Sequence, residues 1–369
     1  TRAQQRLLVE GRINATSPRP SPEDLAGGLS GFPYLSGMDS WTSLLAVIKP
    51  HAVTDKVVAL VRNNLQQRGI TIDSEGQIDA KTIESNQLID NHYYAIASKA
   101  TLLKPEQLNV PEDKFQKQFG LSWKDALAQG KVYNALDGAN KLKLSAGELD
   151  ALWAKTKKAG NMIKFGGGFY CGEVQPGMYV FNGFFMSMRE KYVKAGASIY
   201  YFTITWPESK YSWADFRGEI LGATDPATAP STSIRNIVLT LWKDLGLPAK
   251  PNVGDNGVHA SASPLEAFCE RRNWLGVKTQ DDAFGKVLSD AGVTEATLDN
   301  WGFDPQVRAL GGESKGSLWD SLEDKNTSEC LEALLPGHVR DSNKGSDSAM
   351  IAVAAGVVGF AAGYLLAKH

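Results

Sequence analysis

The chain has few cysteines and no excess of charge of either sign. Cys171, Cys269 and Cys330 are its three cysteines in 369 residues. They lie far apart without a CxxC pair, so they read as reduced thiols, not as a disulfide framework or a cysteine-built zinc site. Two N-x-[ST] sequons, at Asn14 and Asn326, arise easily by chance, and the thin cysteine usage argues against secretion. With 39 basic and 41 acidic residues the net charge is −2, which leaves no basic field for nucleic acid. Internal repeats are missing too. A hydrophobic fraction of 43% and a charged fraction of 22% are those of a globular protein. The length suffices for two ordinary domains, or for one domain with large insertions.

The two ends differ from the middle in composition. Residues 1–41 are rich in proline, glycine and serine with no sustained period, which predicts an extended arm. The start at Thr1 fits removal of a methionine or cleavage of a presequence, and early arginines without an acid before Glu10 suggest an organellar signal. At the other end, 349–367 holds no Asp, Glu, Lys or Arg. As a helix the run would span roughly 28 Å, close to the hydrocarbon thickness of a bilayer. It predicts a single-pass C-terminal anchor in contact with membrane lipid, joined to the rest by a polar linker at 341–348. An organellar membrane, the mitochondrial one in particular, is the candidate. The competing reading is a buried helix in a large assembly. Gly359-x-x-x-Gly363 is the small-residue spacing that lets two membrane helices approach.

Between the ends the pattern is α+β. Ser43-Leu-Leu-Ala-Val-Ile-Lys-Pro predicts a buried strand stopped by Pro50. Thr54 caps a helix whose apolar Val57, Val58, Val61 and Leu65 have helical spacing, Gly69 ends it, and Ile70-Thr-Ile-Asp begins a second strand. A long insertion follows at about 79–178. It predicts a strand at His92-Tyr-Tyr-Ala-Ile-Ala, helices near 112–129 and 145–158, and a loop at Phe165-Gly-Gly-Gly-Phe-Tyr. A helix at about 180–195 leads to a central strand, Ser198-Ile-Tyr-Tyr-Phe-Thr-Ile-Thr-Trp. A helix near 211–221, a short strand at Gly257-Val-His-Ala and a helix from Ser263 complete the order. Without the insertion, read as helical, this is a ferredoxin-like antiparallel sheet with helices over 42–272. Residues 273–340 predict a small helical extension.

One constellation carries chemistry. His259, near a strand end between small residues, is followed eleven positions on by Glu270 on the next helix. An imidazole oriented by a carboxylate is what a phosphate-accepting nucleophile needs. Upstream, Gly222-Ala-Thr224-Asp225-Pro226, Thr232-Ser-Ile-Arg235 and Lys49 supply hydroxyls and cations for phosphate oxygens.

These segments resemble the nucleoside diphosphate kinase family in order and spacing. Its strand-ending Ile-Lys-Pro is similar to Ile48-Lys49-Pro50. Its Gly-x-Thr-Asn-Pro and Gly-Thr-Ile-Arg resemble Gly222–Pro226 and Thr232–Arg235, and its Asn-x-x-His-Gly-Ser-Asp-Ser resembles Asn256-Gly-Val-His259-Ala-Ser261-Ala-Ser263. The resemblance covers 43–78 and 179–272. It implies a ping-pong transfer of the γ-phosphate of a nucleoside triphosphate to a nucleoside diphosphate, through a phosphohistidine on His259 oriented by Glu270. Thr224 and Arg235 would hold phosphates, Lys49 and Asn256 ribose and phosphates, Ser261 would join the nucleotide-binding set, and Phe184 would stack on the base. Mg²⁺ would arrive with the nucleotide, with no protein metal site. Homo-oligomers or other protein partners are expected. The pattern departs from the family at His51, at Gly218, where its arginine would fall one place from Arg217, and at Ala260 and Ala262. A second reading therefore stands beside the enzyme: an accessory subunit of a large membrane complex, with the arm, insertion and tail as docking surfaces.

Overall fold

The computed structural model describes residues 41–166, 168–308 and 315–335. The predicted arm up to residue 40, the linker 341–348 and the apolar run 349–367 lie outside the described residues. Among those described, no helix is long and apolar enough to cross a membrane.

Trp41 already belongs to the first strand, β1 (Trp41–Ile48). Thr54 accepts a hydrogen bond from the Val57 N–H at 3.1 Å and caps the helix Asp55–Gln67, as its position before the apolar run predicts. β2 (Thr71–Asp79) follows. After β3 (Val132–Asn134), β4 (Met162–Gly166), β5 (Phe169–Gln175) and β6 (Met178–Phe181) come β7 (Ser198–Pro207) and β8 (Val258–Ala260). The main sheet has four strands in the order β2-β7-β1-β8, every pairing antiparallel. β1 and β2 therefore run parallel with β7 between them, and β7 and β8 run parallel with β1 between them. Two interleaved split β-α-β units are the ferredoxin-like arrangement.

Side chains of β1 alternate between two cores. Leu44, Ala46 and Ile48 pack with Phe202, Ile204 and Trp206 of β7, against Val57, Val61 and Leu65 of the helix Asp55–Gln67 and against Trp213 and Phe216. Leu45 and Val47 face the other way, onto Ile83, Leu88, Ile89 and Trp274. Because both faces are covered, β1 reads as an unbroken apolar run. Each fully buried Leu or Ile there contributes about 1.5–3 kcal/mol.

The insertion is not helical, as its sequence suggests, but α+β. It builds a second sheet of four strands, β3-β6-β5-β4. Through Phe181 of β6 one face packs on Phe115 and Trp123, and through Val180 the other packs on Trp153 and Phe185. Helices fall where the spacing placed them, at Glu112–Phe119, Trp123–Ala128 and Ala146–Lys158. Three expectations change. The stretch starting at His92 is helical, as Leu88–His92 and Tyr94–Ala97. Its β-branched and aromatic content is overridden by packing, because Leu88 and Ile89 bury against β1 on one helical face. Where a loop is expected from Phe165, β4 runs on to Gly166 and pairs antiparallel with β5 from Phe169. The helix expected from residue 180 begins only at Phe185, because β6 and Asn182 take the preceding positions. Asn182 has a left-handed φ of 47°, and its side chain bonds Ile96 O, Gly168 O and Tyr170 N.

The extension after the helix Pro264–Leu275 holds the helices Ala283–Asp290, Glu295–Trp301, Leu318–Leu322 and Thr327–Leu334. It also holds a short antiparallel pair, β9 (Gln306–Arg308) with β10 (Lys315–Ser317), which the helical expectation missed.

Candidate functional site

β8 brings His259 opposite Val47 of β1. Beyond it, Ser263 caps the helix Pro264–Leu275 by accepting from the Glu266 N–H, and Pro264 occupies the first helical turn. That start points Glu270 back at the strand. Glu270 Oε1 lies 2.6 Å from His259 Nε2, and Ser261 Oγ donates to Oε2 at 2.5 Å. The Glu270 side chain is 2% exposed and that of His259 23%, so the ring alone opens to solvent.

Burial alone would push the Glu270 carboxyl up. The charges that His259 and His92 carry when protonated, with the hydrogen bonds of His259 and the Ser261 hydroxyl, outweigh it and hold the group below its usual range. Burial, then the charge of Glu270, drives Glu266 well above the usual range, so it keeps its proton. One ionised carboxylate thus holds Nε2 of His259. The proton it receives fixes the tautomer and leaves the Nδ1 lone pair uncommitted to Glu270.

Two tight turns gather the candidate phosphate ligands beside this pair. Arg235, on the helix Ile234–Thr240, donates through Nε to Val258 O at 2.9 Å and through Nη1 to Gly222 O at 2.8 Å. Burial, then the charge of Arg217, lowers it to about 10. Gly222 sits at φ 97°, and a Cβ there would fall 2.5 Å from Ser233 Oγ. Only glycine fits that turn. Asn256 Nδ2 donates to Thr224 O at 3.1 Å, while its buried Oδ1 has no hydrogen-bond partner among the described residues. Thr224 itself is exposed.

The Lys49 N–H donates to Gly257 O at 2.9 Å. Burial and then the charge of Arg235 lower its ammonium to about 8. His51 accepts the Gly257 N–H on Nε2 at 3.0 Å. Burial lowers His51 to about 4, so the ring is neutral and that nitrogen free to accept. Asp255 is held by Lys191 at 2.8 and 2.9 Å.

Lys49, Thr224, Arg235, Asn256, His259 and Glu270 are thus brought together; Ser261 is fully buried with its hydroxyl turned to Glu270 and Leu45 O, which removes it from the expected nucleotide-binding set, and Phe184 lies elsewhere. Its ring packs against Trp153 and Tyr170, with centroids 6.2 and 5.9 Å apart, in the core of the second sheet. A stacking place for a base does not fit that position. Arg217 is paired with Glu323 at 2.9 Å and with Asp324.

The residue that sequence reasoning missed is His92. Its Nδ1 lies 3.3 Å from Glu270 Oε1, and its ring centroid is 5.0 Å from that of His259, at 88°. Burial lowers it to about 4 despite the neighbouring carboxylate, so it meets Glu270 as a neutral ring. Only its helical spacing from Leu88 and Ile89 could have indicated a buried place.

No family model matches the chain, and no curated protein matches it. Among solved structures it is similar to nucleoside diphosphate kinases. That from Encephalitozoon cuniculi shares 13% identity at a TM-score of 0.31, covering 64% of this chain and 90% of that one. The Aquifex aeolicus enzyme shares 14%, also at 0.31, covering 64% and 95%. The NDP kinase of Pyrobaculum aerophilum shares 17% at 0.31, covering 64% and 96%. A likeness this remote decides nothing about chemistry.

Proposed function

We propose that the chain transfers the γ-phosphoryl group of a nucleoside triphosphate to a nucleoside diphosphate through a phosphohistidine on His259. The observation that carries this reading is the buried chain from Ser261 through Glu270 to His259 Nε2, which leaves Nδ1 uncommitted to the carboxylate. Its lone pair attacks the γ-phosphorus, a P–N bond forms, and the bond to the β–γ bridging oxygen breaks to release nucleoside diphosphate. In the second half, a terminal oxygen of an incoming nucleoside diphosphate attacks the same phosphorus and the P–N bond breaks. Positive charge that builds on the ring is met by ionised Glu270, a preorganised stabilisation worth several kcal/mol in comparable sites.

Lys49, Thr224, Arg235 and Asn256 would take the phosphates and ribose. Mg²⁺ would be carried by the nucleotide phosphates, since Asp255, the carboxylate beside Lys49, is already held by Lys191. Tethering through 349–367, self-association and an organellar location belong to the same proposal.

A second reading, a kinase-like accessory subunit of a membrane complex, is favoured by one observation. Arg217 is neutralised by Glu323 and Asp324 of the C-terminal extension.

Incubating detergent-solubilised protein with γ-labelled ATP and Mg²⁺ separates the two. The kinase gives an acid-labile, base-stable phosphoprotein that GDP discharges and that His259→Ala lacks. A folded wild-type protein that takes no label leaves the accessory subunit.

A further inference from the structure

His92, His259 and Glu270 come from two distant parts of the chain, and their donor atoms all lie within 4.8 Å of one another. The phosphotransfer reading uses His259 and Glu270 and gives His92 no work. The surroundings of His92 are odd for a purely structural ring. Trp274 Nε1 lies 3.4 Å from His92 Nδ1. An indole N–H only donates, so this nitrogen presents its lone pair. Glu270 Oε1 stands 3.3 Å from the same nitrogen. His92 Nδ1, whose lone pair accepts the indole N–H, and Glu270 Oε1 are therefore two acceptors side by side in a buried place with no proton between them. A cation bound between them would take the place of the long indole contact on Nδ1 and give both atoms one shared partner.

We propose that His92, His259 and Glu270 form a binding site for a divalent transition-metal ion of the zinc class. Two imidazole nitrogens and one carboxylate oxygen suit zinc or cobalt, whereas Mg²⁺ prefers oxygen donors and water. Around a tetrahedral zinc, with bonds of about 2.0–2.1 Å, neighbouring donors stand about 3.3 Å apart. The His92–Glu270 edge already has that length, at 3.3 Å, the two imidazole nitrogens start within 4.8 Å of each other, and the 2.6 Å His259–Glu270 edge must open. It opens when the proton between Nε2 and Oε1 is replaced by the ion.

The outer contacts are those of a supported site. Ser261 Oγ fixes the second oxygen of Glu270, and Tyr93 packs edge-on against His92 with centroids 4.5 Å apart. The exposed side of His259 leaves a fourth position for water.

Occupancy has a chemical consequence. As the ion takes Nε2 of His259, the proton there moves to Nδ1, and no proton is released overall. Nδ1 then has no lone pair, so the metal-bound ring cannot be phosphorylated. The metal and the phosphoryl group exclude each other.

The test uses the full chain in detergent with Zn²⁺ or Co²⁺ alone. One equivalent should stay bound after dialysis against metal-free buffer, and the cobalt form should show visible d–d absorption. X-ray absorption on the zinc form should count two imidazole nitrogens. His92→Gln should weaken binding at least tenfold while circular dichroism stays unchanged; if that variant does not fold, the imidazole count decides. Absence of stoichiometric metal, a shell with fewer than two imidazoles, or unaltered binding by folded His92→Gln would overturn the proposal. These readouts need no nucleotide, so a chain that binds metal but takes no label from ATP refutes the kinase alone.

Discussion

Lys49 is the residue whose environment makes the sharpest statement about conditions. Burial and then the charge of Arg235 hold its ammonium at about 8 instead of 10.5. Its charge is therefore present at neutral pH and is lost as pH rises through about 8, well before an exposed lysine would lose it. If Lys49 meets phosphate oxygens, nucleotide affinity should fall above that point, by at most about tenfold per pH unit for one proton. Lys49→Arg, permanently charged, should flatten the profile. Calorimetric titration of ADP at pH 7 to 9 checks this, and a wild-type affinity that does not change would remove Lys49 from the binding set. His259, Glu270 and Ser261 were legible because a strand followed by a capped helix fixes how far apart two side chains can be along the chain. His92 was not legible. It reaches Glu270 through a packing arrangement between the insertion and the helix Pro264–Leu275, and no local pattern encodes a contact across 178 positions.

At the scale of elements, the second sheet decides the place of Phe184. Its ring is part of a core with Trp153 and Tyr170, although the motif that carries it reads as a base-stacking one. Phe184→Ala should cost about 2 kcal/mol, less than the 3–5 typical of a fully buried phenylalanine, and leave nucleotide affinity intact in the folded fraction. Chemical denaturation and ADP titration measure the two effects, and a loss of affinity without loss of stability would restore the stacking role. The main sheet was readable because β1 and β7 are long, apolar and bounded by turn residues. The second sheet was hidden because β3 and β6 have three and four residues. Runs that short carry no usable period, and the flanking helices dominate the pattern. The π-helical turn after Tyr94–Ala97, at Ser98–Leu102, likewise has no sequence signature to find.

For the molecule as a whole, the junction between β1 and β8 sets an acid limit. His51 closes it by accepting the Gly257 N–H, and burial holds the ring at about 4 against an ordinary 6.5. The unfolded chain binds this proton first. The stability His51 contributes is therefore fully present above about 6.5 and is lost as pH falls toward 4. Asp255 acts in the same direction: burial would raise it, but Lys191, His51 and Lys49 hold it below its usual range. Thermal unfolding between pH 7 and 4 should show a falling midpoint, with a shallower slope in His51→Gln, which keeps an acceptor but does not titrate. Equal slopes in the two proteins would assign the acid sensitivity elsewhere.

The order of strands in the main sheet also bears on how the protein is made. β1 pairs with β7 and β8, never with β2, so its first partner begins at Ser198, about 150 residues after Ile48. At ribosomal rates of about 5–20 residues per second, the apolar segment Leu44–Ile48 waits on the order of ten seconds with both edges open. Throughout that interval the nascent chain is a substrate for holding chaperones, and its period of greatest aggregation risk ends only when synthesis reaches the far side of the insertion.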